Sequence, residues 1–353
     1  MSHLAALRED CELASSLWRR QAGGLQLIIL REWGVDELVR FKHAMLGTHQ
    51  QQHYLEGVKK LGIQDTAPAI VAGKYHYLSN LIGGSSVEYI EDTPKKVWIR
   101  YVHEDLWNDG SALVAVPASA QRATFAAWHS RNASLMGCRR LGYVCTKVRQ
   151  DGEPYNEGYF IEHDQDVAAE DVIRFEAVSH SPAFDPRRAP RLDPTLWPQE
   201  RVSRARRKYG GAYLEGHVHT MLSLYGLDAT CLLVKQVMAM LAVQNQRRLF
   251  REMNISETGF AAALSFLRRL LSSRGDDFAV ELPKQDVAVI TLRSHRPFGD
   301  DLPEALREAL FTFPSMCVRL LGGTILMTRC RETATGAPDH EVWEIRDTHR
   351  WLY

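Results

Sequence analysis

An excess of either charge is missing, since 43 Lys and Arg balance 43 Asp and Glu across 353 residues. A dedicated nucleic-acid binder needs clustered basic residues to displace counterions from phosphates, so that class is excluded. Cysteines are few and scattered (Cys11, Cys138, Cys145, Cys231, Cys317 and Cys330), with no C-x-x-C spacing. Neither a zinc ribbon nor a disulfide framework is indicated. Uninterrupted apolar runs fall short of the roughly 20 residues of a spanning helix. Met1 to Arg8 also lacks the charged-then-apolar layout of a signal peptide. A cytoplasmic protein that makes no use of a membrane is therefore expected. The sequence has no G-x-x-x-x-G-K-S/T, no G-x-G-x-x-G after a strand, no G-x-S-x-G and no H-E-x-x-H. Phosphate-loop, dinucleotide, nucleophile-elbow and zincin chemistries consequently lack support.

What is present is 45% hydrophobic and 24% charged, an ordinary globular composition. A chain this long suggests about two domains and buries roughly three quarters of its unfolded surface. Self-similarity points the same way. One shift along the chain brings Gly34-Val35-Asp36 onto Gly226-Leu227-Asp228, Gln52 onto Gln244, and Ile63 to Thr66 onto Ile255 to Thr258. A slightly smaller shift aligns Asp151 to Glu157 with Thr335 to Glu341, then Tyr159 with Trp343. An internal duplication is the reading that explains both.

Each half reads as three helices, a β-hairpin, a helix and a second β-hairpin. In the first half the helices are expected near 12–33, 36–61 and 65–82, with Asp65 and Thr66 as N-cap candidates, Pro68 in the first turn and Gly83-Gly84 at the end. Strands follow near 86–91 and 96–103, where Val97, Ile99 and Tyr101 alternate with Trp98 and Arg100. A helix near 117–136 leads to strands near 141–149 and 157–163 around the Asp151-Gly152 turn. The second half repeats this with helices near 204–225, 228–253 and 256–273, strands near 278–282 and 287–294, a helix near 303–313, and strands near 324–331 and 341–347. The fold class is α+β, helices covering a four-stranded antiparallel sheet in each half. The boundaries are a first lobe at 1–165, a proline-rich strap at 166–203 and a second lobe at 204–353. Prolines at 182, 186, 190, 194 and 198 forbid helix in the strap and favour an extended segment lying along one lobe.

That element order resembles the 4-vinyl-reductase domain, the related haem nitric-oxide-binding and TRAPP-subunit folds, and the domain of L-2-amino-thiazoline-4-carboxylic acid hydrolases. The resemblance covers both halves and is one of element order. It implies a small, often aromatic ligand held between helices and sheet. Phenol-sensing members carry a zinc-binding cysteine cluster at the domain end, where this sequence offers only Cys145 and Cys330.

Candidate ligand contacts are polar residues inside apolar arcs, because an unpaired buried polar group costs ~1–3 kcal/mol. Lys74 projects among Ile70, Val71, Tyr77 and Leu78, where it could clamp an anion or act as a base; alternatively its ammonium snorkels to the edge. Phe266 holds that position in the second half. His76 reads as facing the polar side of the same helix. Gln52 lies between Leu38, Phe41 and Met45, as Gln244 does in the second half, and is either a pocket wall or a partner for a backbone carbonyl. Asn132 lies one turn beyond Trp128, and Arg100 shares a strand face with Trp98, an aromatic beside a donor in each case. Arg100 could equally pair with Glu88 or Glu91. Cys145 reads as a buried thiol, and Glu215 with His219 as an exposed pair rather than a metal site.

The leading expectation is a small-molecule-binding protein that holds a ring-bearing anionic ligand in the first lobe through Lys74, Gln52, Trp98, Arg100, Trp128 and Asn132. The second lobe serves as scaffold. A hydrolase or ring-opening enzyme on the same ligand is the alternative, and an assembly protein with filled lobes that dimerises through helix faces is the third. Nucleic acid and membrane are not expected partners, no metal site is expected, and no cofactor is legible.

Overall fold

The computed structural model describes residues 3–103, 115–178, 180–299, 302–330 and 341–352. The protein is an α+β chain with two sheets. Its contacts divide it into two compact units, Gln26–Tyr209 and Met1–Leu25 together with Gly210–Tyr353. The division falls inside the two longest helices, α1 (His3–Trp33) and α6 (Gln199–Glu252).

In the Gln26–Tyr209 unit, the end of α1 is followed by α2 (Val35–Lys60), α3 (Pro68–Gly83), β1 (Ser86–Thr93), β2 (Lys96–His103), α4 (Ala118–His129), α5 (Arg131–Leu135), β3 (Leu141–Lys147), β4 (Asn156–Glu162) and β5 (Ile173–Phe175). Gly34, at φ 85° and ψ −173°, separates α1 from α2 in a conformation that only glycine adopts without strain. Pro68 opens α3 as expected, but neither Asp65 nor Thr66 caps it; Ala67 occupies the N-cap without a side-chain bond.

The sheet order is β1-β2-β4-β3-β5, antiparallel except for β5, which pairs parallel with β3. The four strands anticipated are joined by this fifth, drawn from the strap, whose three residues are too short for a period-two signal. Val97, Ile99 and Tyr101 on β2 join the core that β4 and β3 continue with Phe160 and Tyr143. α3 lies so close to β2 that a Cβ on Gly73 would collide with Val97. α2 runs parallel to α4 and α5 at constant sequence offset, meeting them through Lys42 with Thr124, Gln50 with Asn132, and Tyr54 with Met136. Strap residues Ala189 and Trp197 are buried in this core, and the Trp197 indole donates to the Lys60 carbonyl at 3.2 Å.

In the other unit, the second part of α6 is followed by α7 (Phe260–Arg274), β6 (Phe278–Lys284), β7 (Val287–Leu292), α8 (Glu304–Leu321), β8 (Ile325–Cys330) and β9 (Glu341–Asp347), with sheet order β6-β7-β9-β8. α6 is broken at Gly226, at φ 75° and ψ 176°. The helix expected to end near 313 continues through Pro314 to Leu321. Proline forfeits one backbone hydrogen bond, but burial of Cys317, Val318 and Leu321 beyond it offsets that loss. α6 also contains an 18-residue window of mean hydropathy 1.5, apolar and long enough to cross a membrane by length and composition. Lys235 and Gln236 lie in the middle of this stretch, so it holds no uninterrupted apolar run of spanning length.

Candidate functional site

The six residues singled out from sequence fall in three places. Lys74 does not enter the core: its Nζ lies 2.8 and 2.7 Å from the two oxygens of Asp65, and its side chain is 25% exposed. Asp65, anticipated as a cap, is its counter-ion. Gln52 is exposed, as is Gln244. The inward amide on α2 is Gln50, fully buried between Leu46 and Tyr54 on the arc that α2 turns to the core.

Trp98 and Arg100 occupy the sheet face opposite Val97 and Ile99, by strand alternation. The Trp98 ring packs 4.6 Å from Tyr159 with Lys96 over it, and its Nε1 donates to Asp92 at 3.3 Å. Arg100 pairs with Glu88, one of the two partners expected, and with Glu157 at 2.8 Å. Glu157 is fully buried and also accepts from Thr146 and Ser181. Burial pushes its pKa up, but the Ser181 hydroxyl and Arg100 guanidinium more than compensate and hold it below the usual carboxylate range. These groups stiffen the sheet and bind one another.

Trp128 and Asn132 do converge, on a residue read as facing outward. His76 is fully buried, because α3 is apolar almost all round and its back face is covered too. The Asn132 Nδ2 donates to His76 Nε2 at 2.8 Å, while Asn132 Oδ1 accepts from Gln50 Nε2. Trp128 meets the His76 ring edge-on at 4.9 Å. His129 stacks on His76 at 4.6 Å, and Phe160 stacks on it at 5.2 Å. Tyr143 stacks on His129 at 4.0 Å.

The bonds fix the tautomers. His129 Nδ1 faces the Phe125 carbonyl at 3.1 Å, so Nδ1 carries the hydrogen and Nε2 accepts from the Tyr101 hydroxyl, also at 3.1 Å. At His76 the Asn132 amide donates to Nε2, so the hydrogen sits on Nδ1, which has no partner among the described residues. Gln50 Oε1 and Asn80 Oδ1 are likewise buried without a partner among those residues. Asn80 spends its amide hydrogen on the His76 carbonyl at 2.6 Å. Burial lowers the His76 pKa to about 3 and drives that of His129 well below the ordinary value, so both imidazoles are neutral at neutral pH.

Cys145 is buried in β3, and its thiol faces the Lys147 carbonyl at 3.6 Å. Among the described residues no group of three or more His, Cys, Asp or Glu is placed to hold a metal ion. No family model, curated protein or solved structure matches the chain.

Proposed function

We propose that the Gln26–Tyr209 unit is a small-molecule-binding domain whose site is the histidine-centred core, and that the other unit is its scaffold. The observation that carries this is the His76 Nδ1–H, buried among aromatic rings and, like the Gln50 and Asn80 side-chain oxygens, without a partner among the described residues. Each such group costs ~1–3 kcal/mol in stability, a cost that a bound partner would remove. One unpaired donor and two unpaired acceptors, none of them charged, suit a planar uncharged molecule that presents both N–H or O–H and carbonyl-type edges. An anionic ligand loses its support, since Lys74 is neutralised by Asp65, and Arg100 is engaged by Glu88 and Glu157 on the far side of the sheet. The groups bonded within the network are amides, imidazoles and a phenol. With burial holding both imidazoles neutral and disfavouring proton uptake, they are better suited to holding a ligand than to hydrolysis or ring opening.

We infer further that the two units descend from one duplicated unit of three helices, hairpin, helix and hairpin, the element order on which the resemblance to 4-vinyl-reductase-like domains rests. The matching sheet orders, the paired breaks at Gly34 and Gly226, and the paired left-handed caps Gly84 and Gly275 support this. Counted from the caps, Phe266 stands opposite Tyr75 rather than Lys74. Counted from the same landmarks and from the N-caps Pro117 and Pro303, Lys42, Gln50, His76, Asn80, Thr124 and Asn132 correspond to Val234, Ala242, Leu267, Leu271, Leu310 and Val318. All twelve are buried. At these six positions the first unit is polar where the other is apolar, and the polar residues are partners of one another, as expected of a set that serves one purpose.

Native mass spectrometry of the freshly purified full chain tests the reading. The expected result is a mass above that of the polypeptide, lost in a Gln50→Leu, His76→Leu, Asn132→Leu variant that retains its circular dichroism and cooperative melt. A bare polypeptide mass for the unaltered protein, or an adduct that survives the triple substitution, would overturn it.

A further inference from the structure

The part of α6 beyond Gly226 presents an apolar face that none of the described residues of its own unit covers. Leu233, Val234, Val237, Met238 and Ala242 point inward and are buried. On the other side Leu232 is 58% exposed, Met240 43% and Val243 56%. Only 33% of the apolar window is buried. Leu232, Gln236, Ala239 and Val243 recur at the alternating four- and three-residue spacing of a helix-pairing seam. The seam is bracketed by opposite charges, Asp228 at its start and Arg247 at its end, and Lys235 is the sole charge between them.

We propose that this face pairs two copies of the chain, helix against antiparallel helix, across a twofold axis midway between Asp228 and Arg247. Reversing one copy about that midpoint sets Asp228 against the partner subunit's Arg247 and Leu232 against the partner subunit's Val243. It also sets Gln236 against the partner subunit's Ala239, whose small side chain lets the backbones approach. The Asp228–Arg247 contact therefore forms twice, which is the self-complementarity a twofold interface requires. A lipid surface fits less well. The helix has already committed its most apolar side to the protein core, Lys235 and Gln236 sit in the middle of the seam, and an interfacial helix would carry basic residues along its polar flank rather than an acid at one end. This inference is independent of the ligand-binding reading, because it uses none of the residues that form the proposed ligand site.

Light scattering on the full chain during size-exclusion chromatography, together with sedimentation up to about 100 µM, tests it. A dimer is expected. Leu232→Glu and Val243→Glu should each yield monomer with an unchanged circular dichroism spectrum, both residues being exposed. Asp228→Arg or Arg247→Asp alone should weaken association about tenfold, and the two together should restore it, as paired charge reversal does at an interface. Monomer at all concentrations, a dimer indifferent to Val243→Glu, or failure of the double reversal to rescue would overturn the proposal. Monomers that instead bind phosphatidylcholine and phosphatidylserine vesicles in a Leu232-dependent way would assign the face to membrane and overturn it as well.

Discussion

Between pH 6.5 and 4.5 the protein loses roughly 2 to 3 kcal/mol of stability through His76 alone, at ~1.4 kcal/mol per pH unit for each proton that only the unfolded chain can bind. The sign follows from the shift. In the folded protein burial lowers the His76 pKa to about 3, while an unfolded histidine takes its proton near the ordinary 6.5. The stabilisation is complete above 6.5 and is lost as pH falls toward 3. His129, driven down by the same burial and by its stacked neighbour His76, adds to the slope in the same direction. So does His295 in the other unit, again through burial. Urea midpoints at half-unit pH steps measure this directly. The Gln50→Leu, His76→Leu, Asn132→Leu variant should show a slope shallower by one proton, and equal slopes in the two proteins would mean that His76 titrates in the folded state. The window lies above the ordinary carboxylate range, so Glu157, whose contribution is lost only at lower pH, does not blur the reading.

Which parts of this site were legible in the sequence depends on how each signal arises. The α+β class and element order follow from period-two alternation in β2, from the glycines at helix ends and from Pro68 at the start of α3, all of them local. α8 outran its expected end because burial of Cys317, Val318 and Leu321 is a tertiary effect that Pro314 could not announce. Gln50 was missed in favour of Gln52 because α2 has a weak apolar stripe. Lys42 and Gln50 themselves occupy the buried arc, so the arc reads as polar exactly where the site is. Angular position sets His76 outward only if α3 has an outer face. With Ala72, Tyr75, His76 and Asn80 all buried, that helix is enclosed, and angular position loses its meaning. Trp128 and Asn132 are legible because they are an aromatic and an amide four residues apart, with Leu135 on the same helical face. Their partners come from α2 and α3, distant in sequence, and no local spacing could supply them.

Asn132→Leu alone should cost roughly 3 to 5 kcal/mol, because it strands two buried groups at ~1–3 kcal/mol each. The groups stranded are the Gln50 amide and the His76 Nε2, joined only through Asn132. Adding Gln50→Leu and His76→Leu removes both orphans and two that the unaltered protein already carries, His76 Nδ1 and Gln50 Oε1. The triple variant should therefore recover to within about 1 kcal/mol of the parent or exceed it, as happens when a buried polar set gives way to side chains of similar volume. Guanidinium unfolding of the parent, the single and the triple variants checks this. A triple variant less stable than the single one would mean that the network is a stability element whose members act additively, and the case for a retained binding site would lose its energetic basis. Recovery, by contrast, identifies a core held below its attainable stability by its own buried polar residues. Such a core is what a protein keeps when the unpaired groups are needed for something other than folding.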